Sequence, residues 1–221
     1  SKMIKAFLFG SIGVLAETSE LQRKAYNAAF ELNNLEWRWN IGTYCRLLAD
    51  PGGKKRLSRF SGGDLTVAEI AKVHSDKQNF FDDFVRAGIA PRPGCVDVIR
   101  KCKAHNIKVG LITTTTPQTL ATLKIGLADW IDFDDFAVVT TKESVEKEKP
   151  DREVYQYALT ALEVTAGQTV AVEDTKANQA SARGCDIRCY LFPGEYAAVG
   201  PDSWAEPDHL ARSLCDLPLI E

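Results

Sequence analysis

The first patterned stretch of the chain, residues 4–9 (IKAFLF), is mostly apolar, rich in β-forming side chains and closed by Gly10. It predicts a buried strand. From Thr18 to Leu32 the period changes, with Leu21, Tyr26, Ala29 and Phe30 recurring at helical steps. Thr18 or Ser19 is placed to cap this helix, and Glu20 suits its first turn. Further helices are predicted over 41–48, 54–60 and 67–87, punctuated by Gly52-Gly53 and Gly62-Gly63. No strand pattern occurs between residues 18 and 90, so this segment reads as an all-helical insert.

Ala90-Pro91-Arg92-Pro93-Gly94 is a stiff connector. Beyond it the period alternates: helix 96–104, strand 107–113, helix 117–125, strand 136–140, helix 151–162, strand 169–172, helix 176–183 and strand 188–192. A last helix is predicted around 209–214. Alternation of this kind implies an α/β fold, a Rossmann-like parallel sheet with a helical cap inserted after the first strand. The expected domains are a core of residues 1–16 and 88–221 and a cap of residues 17–87. In open parallel sheets the ligand crevice lies at the carboxyl ends of the strands. Four segments fall there: Phe9–Gly13, Thr113–Thr116, the Lys149 loop and Glu173-Asp174. The cap is expected to act as a lid over them.

Composition narrows the classes. The chain has 221 residues, 45% hydrophobic and 26% charged, enough for a sizeable core without disulfides or structural metal. A net charge of −3 gives no reason to expect nucleic acid or an anionic membrane as partner. No apolar run approaches the roughly 20 residues of a membrane span. The N-terminal stretch lacks a secretory leader pattern. The six cysteines form no Cys-x-x-Cys pair and no cluster with histidine, which fits reduced thiols in a cytoplasmic protein.

Several short segments carry candidate chemistry. Thr113-Thr114-Thr115-Thr116-Pro117 joins a strand to a helix, where hydroxyls and free N–H groups suit an oxyanion; taken alone, the better reading is that Thr115 or Thr116 caps the helix and Thr113 ends the strand. Lys149-Pro150-Asp151 offers a cation, or simply a solvated lysine in a charged run. Glu173-Asp174 places two carboxylates directly after a buried strand, suited to a hard cation or to capping the next helix. Gly52-Gly53-Lys54-Lys55-Arg56 puts glycines before basic side chains at a helix start, either a phosphate clamp or a solvated basic turn.

In their order and spacing these segments resemble the haloacid dehalogenase (HAD) superfamily with a helical cap, over nearly the whole chain. The nearest group is similar to the CbbY-like and β-phosphoglucomutase-like sugar-phosphate phosphatases. Leu15-Ala16-Glu17-Thr18, Arg92-Pro93-Gly94 and the Thr113–Pro117 run also look like that group. The resemblance implies that Thr113 is the second motif, Lys149 the third and Glu173-Asp174 the fourth, with Mg2+ as cofactor. It implies substrate contacts at Thr114, Gly52, Gly53, Lys54 and Arg56, and a small phosphorylated metabolite or inorganic phosphate as ligand.

The first motif breaks the pattern. The family's Asp-x-Asp-Gly-Thr/Val-Leu corresponds to Gly10-Ser11-Ile12-Gly13-Val14-Leu15. Gly10 stands where the nucleophilic aspartate is implied, and Ile12 where the acid/base aspartate is implied. Neither side chain can do those jobs. No histidine is placed to activate Ser11, and a serine without a base is a weak nucleophile. The resemblance therefore implies a HAD-type pseudoenzyme, impaired or inactive as a phosphatase, that binds a phosphorylated metabolite. An enzyme with unrecognised chemistry and a vestigial scaffold are the alternatives. Mg2+ at Asp174 and Glu173 is expected to be weak or absent, and metal-free anion binding near Thr113, Thr114 and Lys149 correspondingly easier.

Overall fold

Strand β1 (Ala6–Phe9) is buried at every position, because it lies in the middle of the sheet. The computed structural model describes residues 3–50, 52–196 and 213–217. Beside β1 run β2 (Lys108–Leu111) and β4 (Thr169–Glu173), with β3 (Val138–Val139) and β5 (Arg188–Leu191) outside them, in the order β3-β2-β1-β4-β5. Every pairing is parallel. A central parallel strand is covered on both faces, which is why β1 carries no polar side chain.

The strand period of two sorts the core into layers. Phe7 and Phe9, with Val109, Leu111, Val170 and Val172, face one apolar cluster. Helices α6 (Cys95–Ala104) and α7 (Pro117–Gly126) close it through Val98, Ile99 and Leu123. Ala6 and Leu8, with Ala171 and Cys189, face the other cluster. Helices α8 (Glu153–Leu162) and α9 (Lys176–Arg183) cover that side through Tyr155, Ala158 and Ala182.

The chain divides into two compact units, one built from residues 3–17, 88–194 and 213–217, the other from residues 18–87 and 195–196. The second unit is helical: α2 (Ser19–Leu32), α3 (Ile41–Leu47), α4 (Gly53–Ser61) and α5 (Val67–Arg86). Helix α5 starts at a reciprocal cap in which Thr66 and Glu69 satisfy each other's backbone N–H. Trp39 is fully buried against Tyr26 and Phe30, at ring separations of 4.7 and 4.8 Å. Asn27 fixes it by bonding both its backbone N–H and its carbonyl.

Some boundaries differ from the expected ones. The strand predicted from residue 4 begins at Ala6, and that predicted over 107–113 ends at Leu111. The strand predicted over 136–140 shrinks to Val138–Val139, which among the described residues pairs only with β2. A one-turn helix, α1 (Ile12–Leu15), follows β1 and buries Val14 and Leu15. Four residues are too few for periodicity to reveal. Most of the helix predicted around 209–214 lies outside the described residues; Leu214–Asp216 form a 3-10 turn. The described cysteines are all free thiols.

Candidate functional site

The ends of β1, β2 and β4 meet at Gly10. Its N–H continues the ladder by donating to the Val172 carbonyl at 2.8 Å. A Cβ at Gly10 would run into the Glu173 carboxyl group and the Tyr155 hydroxyl, so the space beside this backbone is already filled. Glu173 is fully buried. Its Oε2 accepts from Lys149 Nζ at 2.5 Å and from the Tyr155 hydroxyl at 2.6 Å, while its Oε1 has no partner. Lys149 Nζ also donates to the Gly10 carbonyl and, at 2.6 Å, to the Ile112 carbonyl. An ammonium has three N–H groups, and here all three end on protein oxygens. The cation that the sequence offers to an anion is spent internally, because Glu173 and two strand-end carbonyls converge on it. Burial pushes the Glu173 carboxyl up to about 7, with Asp174 adding to the rise and Lys149 and Tyr155 opposing it.

Around this centre the remaining motif residues are also tied to one another. Ser11 Oγ donates to Asp174 Oδ1 at 3.0 Å, and the Asn178 amide reaches the same oxygen at 3.4 Å. Thr113 Oγ1 accepts from the Thr115 N–H at 2.9 Å, which shapes the turn into α7. Thr140 Oγ1 accepts from the Thr113 N–H and donates to its carbonyl, both at 2.9 Å. Thr114 is half-buried in the same turn. Ile12 packs its side chain onto the core. Arg92 clamps the Gly13 carbonyl at 2.9 Å together with the Phe192 and Pro193 carbonyls, its guanidinium 3.5 Å over the Phe192 ring. Among the described residues no group of three His, Cys, Asp or Glu side chains is gathered as metal ligands.

The helical unit holds a different kind of site. A cavity of about 330 Å³ is lined by Gln22, Tyr26, Gly53, Arg56, His74 and Lys77, among others, and by no carboxylate. Gly53 is required by close approach: a Cβ there would meet His74 Nε2 at 2.7 Å and the Tyr26 hydroxyl at 2.8 Å. Arg56 is buried and donates to the Leu47 carbonyl, the Tyr26 hydroxyl and the Asp50 carbonyl at 3.1–3.3 Å. A guanidinium has five N–H donors, so two are left over. Lys77 is only 6% exposed and stands 4.8 Å from the Tyr26 ring centroid and 5.4 Å from that of Phe81. Among the described residues it has no hydrogen bond or ion pair. Burial, reinforced by the Arg56 charge and opposed by Asp82, pushes its ammonium down to about 8. Burial also lowers His74, with Lys77, Lys54 and Arg56 contributing. Lys54 lines an adjoining depression with Gly52, Gly53 and His74.

The structure therefore splits the candidate residues into two sets. Gly10, Lys149 and Glu173 come together, and Asp174 joins Ser11 beside them. Gly52, Gly53, Lys54 and Arg56 gather in the helical unit with Lys77, His74 and Tyr26, which sequence reasoning did not single out. Lys77 did leave a signal. The buried stripe of α5 runs Ile70, Val73, Lys77, Phe81 and Val85, so a lysine stands in the apolar register. Tyr155 left none, since an aromatic in the apolar stripe of α8 reads as ordinary core.

Known proteins resemble the chain over nearly its whole length. Protein CbbY of Cereibacter sphaeroides is 34% identical over 219 residues, 97% of this chain and 94% of that protein. The crystal structure of CbbY from Rhodobacter sphaeroides in complex with phosphate superimposes with a TM-score of 0.78 at 34% identity, covering 98% of this chain and 97% of that one. A mutant of CbbY from the same organism, in complex with xylulose-(1,5)bisphosphate, gives a TM-score of 0.76 at 33% identity over 95% of each chain. The sequence model of the haloacid dehalogenase-like hydrolases matches residues 4–186. A parallel sheet with its motifs at the strand ends, a helical insert after β1 and this run of matches lead to one assignment: the chain belongs to the haloacid dehalogenase-like hydrolase family, among its CbbY-like members.

Proposed function

We propose that this chain binds a phosphorylated small molecule through its helical unit and does not hydrolyse phosphate esters by the aspartyl route. The observation that carries this reading is the filled space at Gly10: Glu173 and Tyr155 occupy what a nucleophile's side chain would need. A positioned acid or base typically contributes ~10²–10⁴ in rate, and phosphate-monoester hydrolysis needs up to ~10²¹-fold acceleration. Gly10 and Ile12 remove the covalent route and the general acid together. Thr113 and Lys149 stabilise charge at best, and Lys149 has no donor left for a phosphoryl oxygen.

Hydrolases of this family generally use Mg2+. The residues present do not fit it. Glu173 is already neutralised by an ammonium at 2.5 Å, and a second cation beside that pair is repelled. Asp174 alone is a thin donor set for an ion that demands near-octahedral oxygen coordination. A calorimetric titration with MgCl2 is expected to give no saturable heat in the millimolar range; saturation at micromolar Mg2+ would contradict this.

The ligand class rests on the helical unit's cavity, which offers cations and no carboxylate, and on the phosphate and xylulose-(1,5)bisphosphate bound by the CbbY structures. Two spare Arg56 donors suit a bidentate grip on a phosphate. The expected result is saturable binding of xylulose 1,5-bisphosphate, weakened at least tenfold by Arg56→Lys or Lys54→Ala, with no turnover of that sugar or of an aryl phosphate when Mg2+ is added. Hydrolysis that disappears in Asp174→Ala would overturn the proposal. Absence of binding would instead favour a vestigial scaffold.

A further inference from the structure

We propose that Lys77 is a nucleophilic amine that captures the carbonyl carbon of a phosphorylated aldose or ketose as an imine. The inference rests on the binding reading above, since the sugar must first enter the cavity of the helical unit, but it assigns a covalent step that phosphate binding alone does not require.

Three observations converge on this lysine. Its side chain is more than nine-tenths buried yet lines a cavity of about 330 Å³, within the usual size range of small-ligand sites. Its nitrogen rests on the Tyr26 and Phe81 rings, and among the described residues no carboxylate is paired to it. Arg56 stands in the same wall with two unspent donors, enough to hold a phosphate while the rest of the sugar reaches inward. A lysine kept only to bind anions gains nothing from being desolvated between two rings. A lysine used as a nucleophile does, because burial keeps part of it neutral. With its ammonium pushed down to about 8, about a quarter of the amine is neutral at pH 7.5, against about one part in a thousand for an ordinary lysine.

The step balances without an added reactant. Neutral Nζ adds to the carbonyl carbon, the C–N bond forms and the carbonyl π pair moves to oxygen. One proton passes from nitrogen to that oxygen; the proton that His74 took from the Lys77 ammonium then goes to the resulting hydroxyl, and water leaves as the nitrogen lone pair forms the C=N bond, so the imine carries the positive charge. His74 lines the same cavity and is held toward its neutral form by burial, so it supplies a proton acceptor for these transfers. The protonated imine keeps the positive charge that the Tyr26 ring already faces.

Xylulose 1,5-bisphosphate is the appropriate probe, because phosphorylation of its O5 prevents ring closure and leaves the C2 ketone open. The protein is incubated with it, reduced with sodium borohydride and mapped by mass spectrometry, alongside Lys77→Arg and Lys77→Met. The expected result is a reduced adduct on Lys77, dependent on the sugar, absent from both variants, and suppressed by excess inorganic phosphate. Saturable binding with no adduct, or adducts only on exposed lysines such as Lys55, would overturn the inference and leave the binding reading intact. Neither binding nor adduct would overturn both.

Discussion

Lys149→Ala is expected to destabilise the core unit by about 3–5 kcal/mol at pH 8, the usual cost of breaking a buried ion pair by removing one partner. The side chains of Lys149 and Glu173 are 4% and 0% exposed. Three acceptors lose the ammonium at once: the Gly10 and Ile112 carbonyls, and Glu173 Oε2, which keeps only the Tyr155 hydroxyl among the described residues. The cost depends on pH, and its sign follows from Glu173. In the intact chain that carboxyl is raised from the ordinary 4.5 to about 7. The folded state therefore holds more protons than the unfolded one between these values, and stability falls as pH rises through that window. Without the ammonium, the carboxyl rises further and the window extends upward. The substitution is then least harmful near pH 5, where Glu173 is protonated in the variant, and most harmful above pH 7. Urea unfolding of both proteins at pH 5 and pH 8 reads this directly. A cost under 1 kcal/mol at pH 8, or a larger cost at pH 5, would contradict the assignment.

The second large effect concerns restoring the missing acids. Gly10→Asp with Ile12→Asp is expected to yield no efficient phosphatase and to lower stability by at least about 1–3 kcal/mol, the range for overpacking a filled core. The new side chain needs the space held by the Glu173 carboxyl and by the Tyr155 hydroxyl. Glu173 has rotamers to move into, but moving strips Lys149 of its partner; the Tyr155 ring is fully buried and has nowhere to go. The introduced carboxylate also lands beside a carboxyl that burial already disfavours as an anion. Adding Tyr155→Phe removes the offending oxygen and is expected to recover part of the loss. Thermal unfolding and aryl-phosphate turnover with Mg2+ test the series. A pair of substitutions as stable as the unaltered chain and fully active would show that the site is closed only by the missing aspartates.

The fold was legible because its signals are long or punctuated. Ile4–Phe9 is apolar enough to mark a central strand, and the change to helical period at Thr18 marks the insert. Short elements were not: α1 and β3 exist through tertiary contacts, and neither four nor two residues carry a period. The site was legible to a different depth. Gly10 and Ile12 announce what is missing, since the register of Phe9, Gly13 and Val14 fixes what should stand there. What fills the gap is invisible in sequence, because Glu173 and Tyr155 lie 163 and 145 positions away and only the sheet brings them to Gly10. Lys149 looked available because its neighbours in sequence are charged and exposed. Its neighbours in space are three oxygens.

The Arg92 clamp bears on how the chain comes to exist. The loop after β1 leaves the ribosome well before its partners: its Gly13 carbonyl is held by an arginine 79 residues later, whose other acceptors, at Phe192 and Pro193, are 100 and 101 residues later still. β4, which pairs with β1, is also made late. A nascent chain that has emerged only as far as α8 thus has β1 with one open edge and Arg92 without two of its acceptors. The loop and β1 are made long before the residues that complete their geometry, and β1 waits for β4 to close its open edge. Newly made chains halted between residues 160 and 190 are expected to be the species most exposed to aggregation and to chaperone capture.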